Sequence, residues 1–288
     1  MKLTKEELRQ SYRHSMDTFR QDFLPFYENP DQWAQKPFQI FGNLYYIGDR
    51  CVCMYLLDTG AGLVMFDAGY GMTTHMIENS IRSLGFDPSD IKYLMISHGH
   101  FDHFGSADVL RQRYGMKVCM SAVDWDNIDK NPDLALMRLG PCPDDPICKP
   151  DILLEDGQVL SLGTTAIRCV LSPGHTYGAM SFFFDVSDGR NTCRVGYLGG
   201  AGCFTMHGQY CKDNGLPEGK PYRMMETLKK LREEPVDIVL DNHPDKFGPL
   251  HLYRHELTRQ PGDWPRYLEL VRQRVEEFIA LGHAESFE

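Results

Sequence analysis

The sequence predicts a mixed α/β fold in which two β-sheets are covered by helices. Three observations point there. Short apolar runs separated by turn residues recur over 38–69 and again over 151–199. Segments with helical spacing of apolar residues lie between them and at both ends. No internal repeat and no linker divides the 288 residues, so a single domain is expected, and an apolar content of 42% is enough for a sizeable core.

The elements follow in order. Leu8, Tyr12, Met16, Phe19 and Phe23 fall three and four apart and form one stripe, which predicts an N-terminal helical extension within residues 1–30. "NPDQW" breaks it. The stretch "FQIFGNLYYIGDRCVCMYLLDTGAGLVMFDAG" reads as short strands punctuated by "GN", "GD" and "TGAG" turns. A helix is expected near 72–84, a buried strand at "IKYLMIS", a helix near 106–114 and a short strand at "MKVCMS". Residues 123–150 are rich in Pro and Asp and read as a long irregular excursion. Strands resume at "DILLE", "QVLSL", "TAIRCVLS", "AMSFFFDV" and "CRVGYLG". "YRMMETLKKLREE" has the pattern of an amphipathic helix and "VDIVLD" that of a buried strand. A C-terminal helix over 262–283 closes the chain, with Asp263 expected as its cap and Pro265 in its first turn.

The totals exclude several functions. The net charge is −10 with His neutral, and no long basic run appears, which argues against nucleic acid or an anionic membrane as partner. No signal-peptide pattern opens the sequence and no run is apolar enough to span a bilayer. The expectation is a cytoplasmic protein acting on a small-molecule substrate, with the two terminal helices offering a surface for a homodimer. The nine cysteines contain no C-x-x-C pair, so a zinc ribbon or thioredoxin-type motif is not expected. Most should be buried, inert thiols, with Cys51 and Cys53 two apart on one face of a strand.

"ISHGHFDHFG" places His98, His100, Asp102 and His103 within six positions, all good metal ligands when unprotonated. His98 and His100 can face the same way in an extended turn, and Asp102 and His103 can reach a second position. Other strand-like runs also end in a potential ligand, "AIRCVLSPG" before His175 and "VDIVLDN" before His243. Loops at one sheet edge can bring such residues together. Five histidines and one aspartate suffice for two sites of three protein ligands each, with room for water or substrate. His14, His75, His207, His251, His255 and His283 are assigned no ligand role, although His207 lies in an irregular stretch that borders the site.

"HGHFDH" has the form H-x-H-x-D-H. With "PGHTYG" and "LDNHPDKFG" it resembles the metallo-β-lactamase superfamily over about residues 33–248, and "PFQIFGNLYYIGD" and "DNHP" look most like the third subclass of class B β-lactamases. The resemblance implies a four-layer αβ/βα sandwich with its site along one edge. It implies one zinc held by His98, His100 and His175, and another by Asp102, His103 and His243. Asp67, after "GLVMF", matches the family's aspartate that orients a ligand. The strand near 195–200 ends "YLGGAGCF", without the metal-bridging aspartate of many superfamily hydrolases, in keeping with the subclass that uses His243. Gly200 stands where those β-lactamases usually carry a serine, and Tyr177 where they often carry proline. These departures, and the lack of an export signal, argue against efficient β-lactam turnover.

The chemistry so implied is hydrolysis by a metal-bridging hydroxide on a β-lactam, lactone, thioester or phosphoester. Asp102 would hold the second metal and handle the hydroxide proton, and Tyr177 would donate to the developing oxyanion. Two zinc ions per chain are expected. The histidine-rich set also suits iron or manganese. That opens an iron-dependent oxidoreductase of the sulfur dioxygenase type, and a non-catalytic metal-stabilised binding module, as alternatives.

Overall fold

Side-chain parity shows how two sheets form the centre of the molecule. The computed structural model describes residues 2–244 and 262–287, excepting the side chains at positions 19 and 20. The first sheet runs in chain order through β1 Phe38–Phe41, β2 Leu44–Tyr46, β3 Tyr55–Asp58, β4 Leu63–Phe66, β5 Ile91–Met95, β6 Lys117–Ser121 and β7 Ile152–Leu154. Its first four strands pair antiparallel and the rest parallel. The second sheet holds β8 Val159–Leu162, β9 Thr165–Leu171, β10 Met180–Ser187, β11 Thr192–Tyr197 and β12 Ile238–Leu240, in the order β12-β11-β10-β9-β8. Alternate residues point to opposite faces. Thus Val64, Phe66, Phe182 and Phe184 fill the core between the sheets, while Leu63 and Met65 join the helices outside the first sheet and Phe183 joins those outside the second.

The helices complete the sandwich. α2 Thr74–Ser83 and α4 Ala107–Tyr114 supply Ile77, Ile81 and Leu110 to the outer core of the first sheet. α7 Lys220–Leu231 and α8 Asp263–Leu281 supply Leu228, Trp264 and Val271 to that of the second. α1 Lys5–Glu28 opens with a capping box, in which the Glu7 amide donates to Thr4 Oγ1 and the Thr4 amide to the Glu7 carboxylate. Leu8, Tyr12 and Phe26 bury its apolar stripe; the side chain of Phe19 lies outside the described residues. Among the described residues no helix is long and apolar enough to cross a membrane.

Three expectations need correction. Residues 123–150 are not irregular throughout, since α5 Ala122–Lys130 opens the stretch, with Ser121 Oγ accepting from the amides of Val123 and Asp124. Asn131 and Pro132 end that helix, two 3-10 turns follow at Pro132–Ala135 and Met137–Leu139, and irregular chain begins only at Gly140. Cys51 and Cys53 occupy a bend ahead of β3 and enter different cores, because chain leaving a strand loses its two-residue parity. All nine cysteines are nonetheless free thiols, seven of them buried. Asp263 does not cap α8. The cap is Gly262 at φ 101°, and Asp263 is the first helical residue, where its charge still suits the helix N-terminus.

One sheet edge gathers strand ends from both sheets. The parallel strands β4, β5 and β12 all finish there, beside the ends of β9 and β11. Backbone bonds from Met180 N to Ser97 O (2.8 Å) and from Cys53 N to Asn242 O (2.8 Å) cross-link the sheets at this edge.

Candidate metal centre

The histidines of the edge cluster arrive from three places, the segment after β5, the turn after β9 and the end of β12, and four of the five are oriented by a backbone or carboxylate acceptor. β5 runs into Ser97, His98, Gly99 and His100, and the short helix α3 Phe101–Phe104 then turns Asp102 and His103 inward. His98 Nδ1 donates to Gly199 O (2.8 Å), His175 Nδ1 to Gly202 O (2.7 Å) and His243 Nδ1 to Cys51 O (2.8 Å). His103 Nδ1 donates to Asp67 Oδ2 (2.8 Å). These bonds fix the tautomers, so each of the four rings keeps its Nε2 lone pair when neutral.

Ring nitrogens of the cluster face one another. His175 Nε2 stands 3.0 Å from His100 Nδ1, and His103 Nε2 stands 3.2 Å from His243 Nε2. Asp102 Oδ2 lies 3.4 Å from His103 Nε2 and 3.5 Å from His243 Nε2. His98 Nε2 is buried without a hydrogen-bond partner. Lone pairs at such distances repel unless a cation or a shared proton lies between them. Tetrahedral zinc with bonds of about 2.05 Å sets its donor atoms about 3.3 Å apart, so the side chains fit such an ion. The ligand atoms of His98, His100 and His175 lie within 4.8 Å of one another, as do those of His98, Asp102 and His103. His243 joins the second group through its contacts with His103 and Asp102, although the 4.8 Å grouping does not itself include it.

Electrostatics divide the two groups. Burial, reinforced by the neighbouring imidazoles, pushes His98 and His100 well below the usual histidine range and His175 down to about 3. They are neutral at pH 7 and ready to bind a cation. Burial also acts against a charged His103, but the carboxylates of Asp102 and Asp67 outweigh it and raise His103 to about 10. Burial alone would raise Asp102, yet His103, His243 and His100 bring its carboxyl below the usual range.

Buried groups outside the cluster hold it in place. Asp67, at φ 57°, accepts from the amide and hydroxyl of Ser97 and from Tyr197 as well as from His103. It therefore orients a ligand and ties β4 to β5. Asn242 donates to Ser97 Oγ and Tyr197 OH, extending the network to β12. Asp124 joins the two loops of the first group by accepting from Gly99 N (2.9 Å), Thr176 Oγ1 (2.8 Å) and Gly178 N (2.8 Å). Asp49 Oδ1 accepts from the amides of Cys51 and Val52, fixing the bend whose carbonyl holds His243. Lys220, buried and lowered to about 8 by that burial, donates to Thr205 O and lies 3.4 Å from His175 O. Sequence reading found Asp67 but missed the other four. The Ser121 cap was a local signal that Asp124 opens a helix; nothing local marked Asn242, Asp49 or Lys220.

The geometry bears on Tyr177 and on Gly200. The Tyr177 hydroxyl is engaged by Pro217 O, to which it donates (2.6 Å), and Lys220 Nζ packs 5.4 Å from its ring. A side chain at position 200 would displace a ligand ring, since a Cβ on Gly200 would stand 2.8 Å from His175 Cδ2. Among the histidines given no ligand role, His75 pairs with Asp31 on the surface, and His207 and His283 pack against each other. His251 and His255 lie outside the described residues.

A family model for the metallo-beta-lactamase superfamily matches residues 49–188, a span that includes Asp67, the H-x-H-x-D-H segment and His175. Over that span the chain is similar to the metallo-beta-lactamase superfamily. Its fold matches the crystal structure of BJP-1, a subclass B3 metallo-beta-lactamase of Bradyrhizobium japonicum, with a TM-score of 0.74 at 24% identity over 86% of this chain and 96% of that one. The two-sheet sandwich is thus the superfamily's. Among curated relatives, the chain is 27% identical to the probable polyketide biosynthesis zinc-dependent hydrolase PksB of Bacillus subtilis (strain 168), over 60% of this chain and 67% of that protein. It is 26% identical to a hydroxyacylglutathione hydrolase of Chelativorans sp. (strain BNC1), over 62% of this chain and 60% of that protein. The matches thus span about two thirds of these relatives' length or less.

Proposed function

We propose that this chain is a hydrolase holding two zinc ions, one on His98, His100 and His175 and one on Asp102, His103 and His243. The observation that carries the reading is the pair of facing imidazole contacts, 3.0 Å and 3.2 Å, in rings whose outer Nδ1 hydrogens are, for three of the four, already committed to Gly202, Asp67 and Cys51. Zinc bound there would supply a Lewis acid and a water acidified toward neutrality.

The chain's own groups do the rest. The carbonyls of Gly199, Gly202 and Cys51 and the Asp67 carboxylate hold the ligand rings in place. Asp102 stays ionised and can accept a proton beside the reacting atoms. The cluster opens into a cavity of about 760 Å³ whose wall includes Phe23 and Phe26 of α1 and Val271 and Phe278 of α8. The terminal helices therefore shelter a substrate of considerable apolar size from water. The names of the relatives, a zinc-dependent hydrolase and a hydrolase of hydroxyacylglutathione, a thioester, favour esters or thioesters over strained amides.

The test is a hydrolysis screen of lactones, thioesters, phosphodiesters and β-lactams on zinc-verified protein. Ester or thioester turnover that a chelator abolishes, with weak β-lactam turnover, is the expected result. Efficient carbapenem hydrolysis would replace the substrate reading, and no zinc-dependent turnover of any class would remove the hydrolase reading.

A further inference from the structure

The wall of the cavity carries a second histidine pair that takes no part in the cluster. His207, between a short 3-10 turn and α6 Gly208–Asp213, and His283, just past α8, both line the cavity. Their rings stand 4.4 Å apart and are only 4% and 7% exposed. Aromatic rings enclose them, with Tyr12 5.0 Å from His207 and Phe278 5.1 Å and 4.8 Å from His207 and His283. The Nδ1 atom of each is buried without a hydrogen-bond partner. One such atom in a protein interior is costly, and two on adjoining rings at a cavity wall call for a partner from outside the chain.

We propose that His207 and His283 form a subsite for a hydroxyl group carried on an otherwise apolar substrate. A neutral imidazole can present its Nδ1 either as a donor or as an acceptor. Two of them side by side can offer one of each. A hydroxyl group answers both at once, giving its proton to one ring and taking a hydrogen bond from the other. A carboxylate cannot donate, and a methyl group answers neither. Burial, with His283 adding to it, pushes His207 down to about 3, and burial lowers His283 as well, so neither ring is itself a cation that would attract an anion. The surrounding Tyr12 and Phe278 accommodate an apolar, flat body.

This subsite deepens the proposed hydrolase only by naming what its substrate carries, and it can be tested without turnover. Zinc-loaded protein is titrated with 2-naphthol and with 2-methylnaphthalene, which differ by a hydroxyl for a methyl of similar size. The naphthol should bind about tenfold more tightly, the worth of one to two well-made hydrogen bonds. In His207→Phe and His283→Phe, which keep the ring volume, that preference should fall to within about twofold, with 2-methylnaphthalene affinity unchanged. Equal affinities in the unmodified protein, binding of neither compound, or a preference that persists in both variants would overturn the subsite. A failed hydrolase reading shows itself separately, as absent zinc-dependent turnover, and leaves a naphthol preference standing.

Discussion

Gly200→Ala tests how closely the backbone is built around the first ligand group. A Cβ at this position would meet His175 Cδ2 at 2.8 Å, Cβ at 3.0 Å and Cγ at 3.1 Å, whereas ordinary contact begins at 3.4 Å. The ring must therefore retreat by 3.4 − 2.8, or about 0.6 Å. It has little freedom to do so, because Nδ1 is bonded to Gly202 O at 2.7 Å. A ligand shifted by this much loses directed bonding to its metal, and a loss of about 10–100-fold in zinc affinity at that site is expected, as for disrupted outer supports in metal sites generally. Competition with a graded series of chelators reads each affinity. One zinc should weaken in Gly200→Ala while the other stays within about threefold, because His103, Asp102 and His243 are untouched. Unchanged affinity at both sites, with the fold intact by circular dichroism, would refute the packing argument. For the same reason Gly200→Ser should impair the site rather than provide an anchor for a β-lactam carboxylate.

Asp67→Asn keeps a residue that tolerates positive φ but removes the carboxylate holding His103, so zinc affinity of the second group should fall about 10–100-fold by chelator competition. Metal binding at that group should also release protons: His103, raised to about 10, is protonated in the metal-free protein at pH 7 and must deprotonate, whereas His98, His100 and His175 are already neutral. Calorimetry in buffers of different ionisation enthalpy should therefore show about one proton released for the second zinc and close to none for the first. Asp124→Asn leaves at least one of the donors Gly99 N, Thr176 Oγ1 and Gly178 N facing an amide in place of a carboxylate, and should cost about 1.5–3 kcal/mol in a denaturation midpoint assay. Tyr177→Phe forfeits only the bond to Pro217 O, so turnover should change by less than about threefold, with at most about 1 kcal/mol of stability lost.

What the sequence made legible was what local chemistry writes into it. The strands announced themselves as short apolar runs between turn residues, and in "AMSFFFDV" the three phenylalanines serve two cores. The H-x-H-x-D-H segment was legible because its ligands are consecutive, and His175 and His243 because each follows an apolar strand. Groups whose role depends on distant chain were not. Asp124 acts only when α5 brings it against Gly99 and Gly178, a juxtaposition no periodicity encodes. The bond from the Tyr177 hydroxyl to Pro217, forty residues on, was equally illegible. The terminal helices were visible as helices, but their place over the cavity follows from packing against both sheets and not from their stripes.

The central claim is that six side chains hold two zinc ions in two separable groups. Elemental analysis of zinc-reconstituted protein, alongside His175→Ala and His243→Ala, tests it most directly. About two zinc ions per chain are expected in the unmodified protein and about one in each variant, with the remaining ion bound to the opposite group. One zinc or none in the unmodified protein, or two retained in both variants, would contradict the assignment.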